Sequence, residues 1–263
     1  MPRKLYGSVN GQTKQIRKLY GSVNGVTKEI VKLYGSAGGV TRQIFPDTTT
    51  AIAQLGRGDD INIKLKKLAG DNPDNTSSEN HNIKALRRAN ALPPGFVPSA
   101  DNNIAHSTSA SPIYAWFDDT GGNGIIYVFF DGDIKCHNLV CLCEAMHSLT
   151  DISFLSTIDT SGVSDTYSMF EDCESLSDLT PLSNWDTSGF KDLSYMFSRC
   201  IALTDLSPLS NWDMSHATTM DAIFNASNNI DATVLNGWDV SNVTSMTNAF
   251  TCPADKRPTW YTP

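Results

Sequence analysis

A period of 27 residues runs through the second half of the chain and limits what it can fold into. Leu149-Thr150-Asp151-Ile152 aligns with Leu176-Ser177-Asp178-Leu179 and Leu203-Thr204-Asp205-Leu206. Asn184-Trp185-Asp186-Thr187-Ser188 returns as Asn211-Trp212-Asp213-Met214-Ser215. After a one-residue deletion it returns again as Gly237-Trp238-Asp239-Val240-Ser241. Further columns are Phe170, Phe197, Phe224 and Phe250, and Cys173 with Cys200. An apolar residue recurring in several parallel columns cannot be buried inside one repeat. It is buried by stacking each repeat on the one below, which is how a solenoid writes its core. Trp185, Trp212, Trp238, Phe170, Phe197, Phe224, Phe250, Cys173 and Cys200 are therefore expected to be structural columns.

The Leu-x-x-Leu-x-x-Leu spacing at Leu176/Leu179/Leu182 and Leu203/Leu206/Leu209 lies near the leucine-rich-repeat pattern. The fuller motif, Leu-x-x-Leu-x-x-Leu-Ser-Asn-Trp-Asp-x-Ser…Met-Phe-x-x-Cys, resembles the BspA-like leucine-rich-repeat surface proteins. The resemblance covers about residues 142–252. It implies a protein of adhesion, with catalysis not expected.

A second, shorter repeat opens the chain, with a period of 14. Lys4-Leu5-Tyr6-Gly7-Ser8-Val9-Asn10-Gly11 returns at residues 18–25 and, slightly altered, at 32–39. Asn10-Gly11 and Asn24-Gly25 are turn signals, and Ile16/Tyr20 and Ile30/Tyr34 sit at the even spacing of strands. One such repeat carries too few apolar side chains for a core, so it is expected to assemble with other copies of the chain, as a homotrimer. The pattern resembles the shaft repeats of trimeric viral and phage fibres. The other reading is a flexible basic tail.

The charge divides the same way. Residues 1–45 carry eight Lys/Arg against one acid, residues 46–112 seven of each, and residues 113–263 five bases against twenty acids. The acidic part argues against nucleic acid as its ligand. No apolar run approaches the ~20 residues of a membrane helix, so no membrane insertion is expected. No signal peptide is read at the N-terminus.

Four segments follow: a shaft at 1–45, a joining module at 46–112, a β-hairpin cap at 113–135 and a repeat solenoid at 136–263. The fold class expected is mainly β, with a small mixed joining module. In that module Ile61-Asn62-Ile63-Lys64-Leu65 reads as a short strand, and residues 83–92 read as a helix stopped by Pro93-Pro94-Gly95. Residues 70–81 and 99–111 read as polar loops. The hairpin is formed by the apolar runs on either side of Gly121-Gly122-Asn123-Gly124, and is expected to cover the open end of the first coil. Residues 253–263, with Pro258 and Trp260, are expected to close the other end.

Several residues invite chemistry. His137, Cys141, Cys143 and His147 imitate a zinc spacing, but Cys143 falls in the phenylalanine column. Asp159/Asp186/Asp213/Asp239 form a ladder open to calcium, or to turns that cap backbone N–H groups. The Trp185/Trp212/Trp238 ladder is open to sugar stacking or to core packing. Arg57-Gly58-Asp59 is a tripeptide that arises often by chance. Cys173 and Cys200 read as free thiols. No metal or cofactor is expected, and neither is an enzyme: no Walker loop, His-Glu-x-x-His, Gly-x-Ser-x-Gly or dinucleotide fingerprint is present.

The expected function is therefore attachment. One arrangement is a virion or phage-tail-like fibre, its shaft bound to other particle proteins and its solenoid bound to a cell-surface receptor or glycan. The alternatives are a bacterial surface adhesin and an intracellular scaffold. Recognition positions are expected between the columns, at Gly189, Lys191 and Asp192 in one coil and His216, Thr218 and Thr219 in the next.

Overall fold

The computed structural model describes residues 53–73 and 82–263, and before them four strands: β1 (Leu5–Val9), β2 (Gln12–Val23), β3 (Val26–Ala37) and β4 (Val40–Gln43). The chain divides into two units, Met1–Ala51 and Ile52–Pro263. In the first unit the strands pair antiparallel in chain order. Val9 faces Gln12, Val23 faces Val26, and Ala37 faces Val40. The Asn-Gly steps between these strands lie outside the described residues.

The second unit opens with β5 (Ala53–Gln54) and the helix α1 (Gly58–Ala69). This helix corrects the expected strand at Ile61–Leu65. Alternation of Ile61, Ile63 and Leu65 imitates a strand, but Ile61, Leu65 and Ala69 also share a helical face, and they are the buried apolar side chains of the helix. Ile63 points outward, 40% exposed. Asp59 and Asp60 lie in the first turn, Lys66 and Lys67 in the last, and Gly70 ends the helix at φ 73°. The expected helix over 83–92 is also corrected: Ala85–Arg88 is a strand, β6. Its Ala, Leu and Arg residues favour helix, but tertiary pairing overrides that weak preference.

Strands β7 (Tyr114–Asp118) and β8 (Ile125–Phe129) pair antiparallel around the glycine-rich stretch. β6 lies parallel on the other side of β8, giving the order β6-β8-β7. A second small sheet runs β10-β9-β5, with β9 at Ile134–Lys135 and β10 at Ile158–Asp159. One continuous core joins Ala53 to Tyr261, so the residues before the hairpin share it with the repeats.

From Leu139 onward the repeats stack in register, held by a backbone ladder that ordinary strands do not make. Thr166, Ser168, Phe170 and Asp172 donate their N–H groups to the carbonyls of Asp192, Ser194, Met196 and Ser198 in the next repeat. The N–H groups between them, on Met169, Glu171 and Cys173, turn back three residues to Thr166, Ser168 and Phe170. The same division recurs before and after, at Leu139–Ala145 and at Leu193–Arg199. It requires left-handed backbone twice per repeat: Cys141 and Ala145, Ser168 and Asp172, Tyr195 and Arg199, Ala222 and Ala226, at φ of 51–60°. None of these is glycine, and each such residue costs about 1–2 kcal/mol. The ladder offsets that cost by pairing alternate N–H groups both along and across the array.

Within this ladder the cross-repeat bonds run one way, from the N–H of the earlier repeat to the C=O of the later one, while bonds outside it, such as Lys191 N–H to Ser164 and Thr218 N–H to Lys191, run back. The first repeat therefore offers carbonyls with no repeat before it to fill them. Helix α1 does that work. The buried Asn62 donates Nδ2–H to the carbonyls of Leu142 (3.2 Å) and Glu144 (3.1 Å). Gly58 lets the helix come close: a Cβ there would lie 2.3 Å from the Val140 oxygen. The strand β6 covers another part of the same end, where Leu86 N–H meets the Asp151 oxygen at 2.7 Å and the Lys84 oxygen accepts from Thr150. The covering expected of the hairpin alone is thus shared, with β8 behind β6 and α1 at the ladder itself.

The columns are filled as stacks. Phe170, Phe197, Phe224 and Phe250 lie 5.3–5.4 Å apart, centroid to centroid, and all are buried. Trp185, Trp212 and Trp238 stack at 6.2–6.3 Å, and Trp260 continues the pile at 6.4 Å. Each tryptophan N–H meets a carbonyl of the repeat below, those of Leu155, Leu182, Leu209 and Leu235 in turn. Buried indole keeps its donor satisfied this way. Tyr261 packs edge-on against Phe250.

Two substitutions test this arrangement. Phe197→Ala removes a fully buried ring between two stacked neighbours, and should lower stability by roughly 3–5 kcal/mol in denaturant melts. An unchanged midpoint would mean the column bears no load. Asn62→Ala leaves two buried carbonyls without their donor, and should cost about 1–3 kcal/mol. Amide exchange in residues 139–146 should quicken in that variant while residues 220–250 stay protected.

Candidate functional site

The six expected recognition positions separate in the structure. Lys191, His216 and Thr218 are exposed; Gly189, Asp192 and Thr219 are half-buried. Gly189 packs against the repeat below, where a Cβ would lie 2.7 Å from the Val163 oxygen. Its side of the chain is closed to a ligand. Asp192 and Thr219 sit in a further column, bridged to each other and flanked by Asp165 and Ser245. The Asp192 carboxylate accepts the N–H of Ser194 at 2.9 Å. Three of the six positions therefore hold the array together, and the sequence spacing that placed them between columns missed this additional column.

The acidic excess is largely spent on turns. In each of Asp159, Asp186, Asp213 and Asp239 the carboxylate accepts the N–H two residues on, from Ser161, Ser188, Ser215 and Ser241. A second series, Asp151, Asp178, Asp205 and Asp231, does the same at the short 3-10 turns of each repeat. Hydrogen bonds from Ser161, Ser215 and Ser241 hold Asp159, Asp213 and Asp239 below the usual carboxylate range. These side chains are turn-formers first.

The remaining motifs are also absorbed by the fold. Cys143 lies fully buried in the phenylalanine column, while His137 is exposed. Among the described residues no three His, Cys, Asp or Glu side chains group as metal ligands. Cys173 and Cys200 are free thiols, and each Sγ–H points at a carbonyl 3.1 Å away, that of Cys143 and Phe170 respectively. Ser227 makes the same contact to Phe197 one repeat later. Burial raises both thiols far above their ordinary pKa. In Arg57-Gly58-Asp59 the arginine and aspartate pair with each other at 3.0 Å, and Gly58 is the buried contact that seats α1.

Residues 140–258 match the family described as Mycoplasma protein of unknown function, DUF285. No curated protein and no solved structure matches the chain. The DUF285 match spans the ladder from Val140, inside the segment that α1 covers, to Pro258 beside the last stacked tryptophan.

Within the DUF285 segment one surface stands apart from these structural uses. Tyr167 and Tyr195 are 40% and 36% exposed, with ring centroids 5.6 Å apart and planes at 59°. The Asp165 carboxylate accepts the Tyr167 N–H at 3.1 Å, and Glu171 accepts from Ser168 Oγ at 2.6 Å. Burial, then neighbouring acids, raise the pKa of both Asp165 and Glu171 above the usual range. Sequence reasoning passed over this pair because the tyrosines occupy different columns. Its signal was an aromatic in slots where other repeats hold Ser194, Asp221, Ala222 or Asn248.

Proposed function

We propose that this is a non-enzymatic attachment protein, in which the DUF285 repeats present a binding surface and the N-terminal 14-residue repeats serve assembly. The observation that carries the reading is the contrast between columns and slots. The phenylalanine and tryptophan positions stay apolar and buried in every repeat, with Cys143 and Ile158 filling them in the first. Exposed slots beside them change from repeat to repeat: Ser164, Lys191, Thr218 and Thr244 in one, and Tyr195 and Asn248 in another, where the repeat between them holds a buried Ala222. A stack with constant interior and variable exterior suits recognition of an extended partner. Among the described residues no helix is long and apolar enough to cross a membrane.

In its finer form the proposal is a solenoid carried on a fibre. Residues 1–45 form a trimeric shaft that contacts other particle proteins, and the solenoid engages a cell-surface receptor or glycan. Three copies of a weak surface then act together through their effective concentration.

Sedimentation of the full chain against a chain starting at Ile52 should show a trimer becoming a monomer. Fluorescent full-length protein should bind target cells, the Ile52 chain should bind far more weakly, and residues 1–51 alone should not bind. A monomeric full chain removes the fibre, and cell binding carried wholly by residues 1–51 reverses the assigned polarity.

A further inference from the structure

We infer that the open edge of the last repeat binds an extended polypeptide segment of a partner protein, which joins the ladder as one more rung. The inference goes beyond the attachment reading. It concerns the end of the array, not the exposed slots along it, and holds with or without a fibre.

Three observations converge on it. The first is the backbone. Leu193 and Tyr195 donate their N–H groups to the Thr219 and Asp221 oxygens, and Met220 and Ala222 donate theirs to the Ser245 and Thr247 oxygens, all at 2.8–3.0 Å. Met246 and Asn248 hold the same places in the last repeat, and among the described residues no acceptor meets either N–H. The return bond is open too. The Lys191 oxygen accepts the Thr218 N–H, and the Thr218 oxygen accepts the Thr244 N–H, but the Thr244 oxygen accepts from no described residue.

The second is packing. Met214, Ala217 and Met220 are at most 1% exposed, because the last repeat lies on them. Their equivalents in that repeat, Val240, Val243 and Met246, are only partly buried. Trp260 and Tyr261 pack on the tryptophan and phenylalanine columns and leave these three column ends uncovered. Apolar ends beside unmet backbone groups mark a place for a further layer.

The third is room. A groove of about 320 Å³ lies between residues 244–248 and the tail at 261–263. The open edge forms one wall of it.

These observations also choose the occupant. At the earlier joints each N–H of the row meets a separate carbonyl, and the Thr244 oxygen needs an N–H in return. A bare anion brings acceptors only, whereas a polypeptide backbone brings both groups. A second copy of the chain does not serve. Its carbonyl end is covered by α1 through Asn62, and its own last repeat would bring N–H groups to N–H groups. The segment that fits is extended, with polar residues at the rung carbonyls. It carries apolar residues three apart, as Ala217 and Met220 are, to cover Val243 and Met246.

The test uses the full chain and a synthetic peptide of its own residues 215–222, which cover the preceding rung. A scrambled peptide of the same composition, acetate and phosphate are the controls. Amide hydrogen exchange, read residue by residue, is the measurement. Without peptide, Met246 and Asn248 should exchange much faster than Met220 and Ala222. Peptide at ten times its dissociation constant should slow both about tenfold, and none of the controls should. A peptide carrying Thr218→Pro lacks the N–H for the Thr244 oxygen and should bind about fivefold more weakly. One carrying Met220→Ser should bind about tenfold more weakly.

The site is overturned if Met246 and Asn248 are already as protected as Met220 and Ala222 in the free chain. It is also overturned if peptide up to about 1 mM leaves them unslowed, or if the scrambled peptide slows them equally. Slowing by acetate or phosphate would replace the polypeptide with an anion. Slowing that grows with protein concentration alone would replace the partner with a second copy. The two readings fail separately. Cell attachment by a chain whose edge ignores the peptide removes this site and leaves the attachment protein. Peptide protection of Met246 and Asn248 without any cell attachment leaves the site and removes the attachment protein.

Discussion

The one-way hydrogen-bond ladder between repeats is the constraint on which the second unit depends. Alternate N–H groups reach forward to the next repeat, and those between them close local turns. That division forces two left-handed residues per repeat and fixes the register at 27 residues. The register in turn brings phenylalanine over phenylalanine and tryptophan over tryptophan. The aromatic stacks are buried because the backbone has already set their spacing.

A ladder with direction has two unlike ends. The carbonyl end meets Asn62 and α1, an element supplied from about eighty residues earlier in the chain. At the other end the N–H groups of Met246, Asn248 and Phe250 have no backbone acceptor among the described residues, while Trp260 and Tyr261 cover the aromatic columns beside them. A polar side chain thus closes one end and aromatic packing shields the other. The same polarity explains why a segment outside the DUF285 match shares its core: the first repeat needs donors that no repeat can give.

The many aspartates show how composition alone misleads about function. Twenty acids against five bases in residues 113–263 suggest a metal ladder or a field for ligands. Most of the repeat aspartates instead accept the N–H two residues on, and make the turns that let a repeat close. Asp165 and Asp192 make the same contact to Tyr167 and Ser194, while Glu171 accepts from the Ser168 hydroxyl instead.

The sequence by itself determined the repeat, its columns and the burial of Trp212, Phe197 and Cys200, because periodicity reports which side chains must meet. It also determined the strand runs on either side of Gly121-Gly122, where apolar runs and turn residues agree. It did not determine the state of residues 61–65 or 85–88. In both, local preference is weak, and the partner that decides the matter is distant: Val140 to Glu144 for α1, Asp151 and β8 for β6. Only the tertiary structure showed that Gly189 is a packing residue and that Asp192 and Thr219 form another column. Only the tertiary structure brought Tyr167 and Tyr195 together, since residues in different columns become neighbours when one repeat is laid on the next.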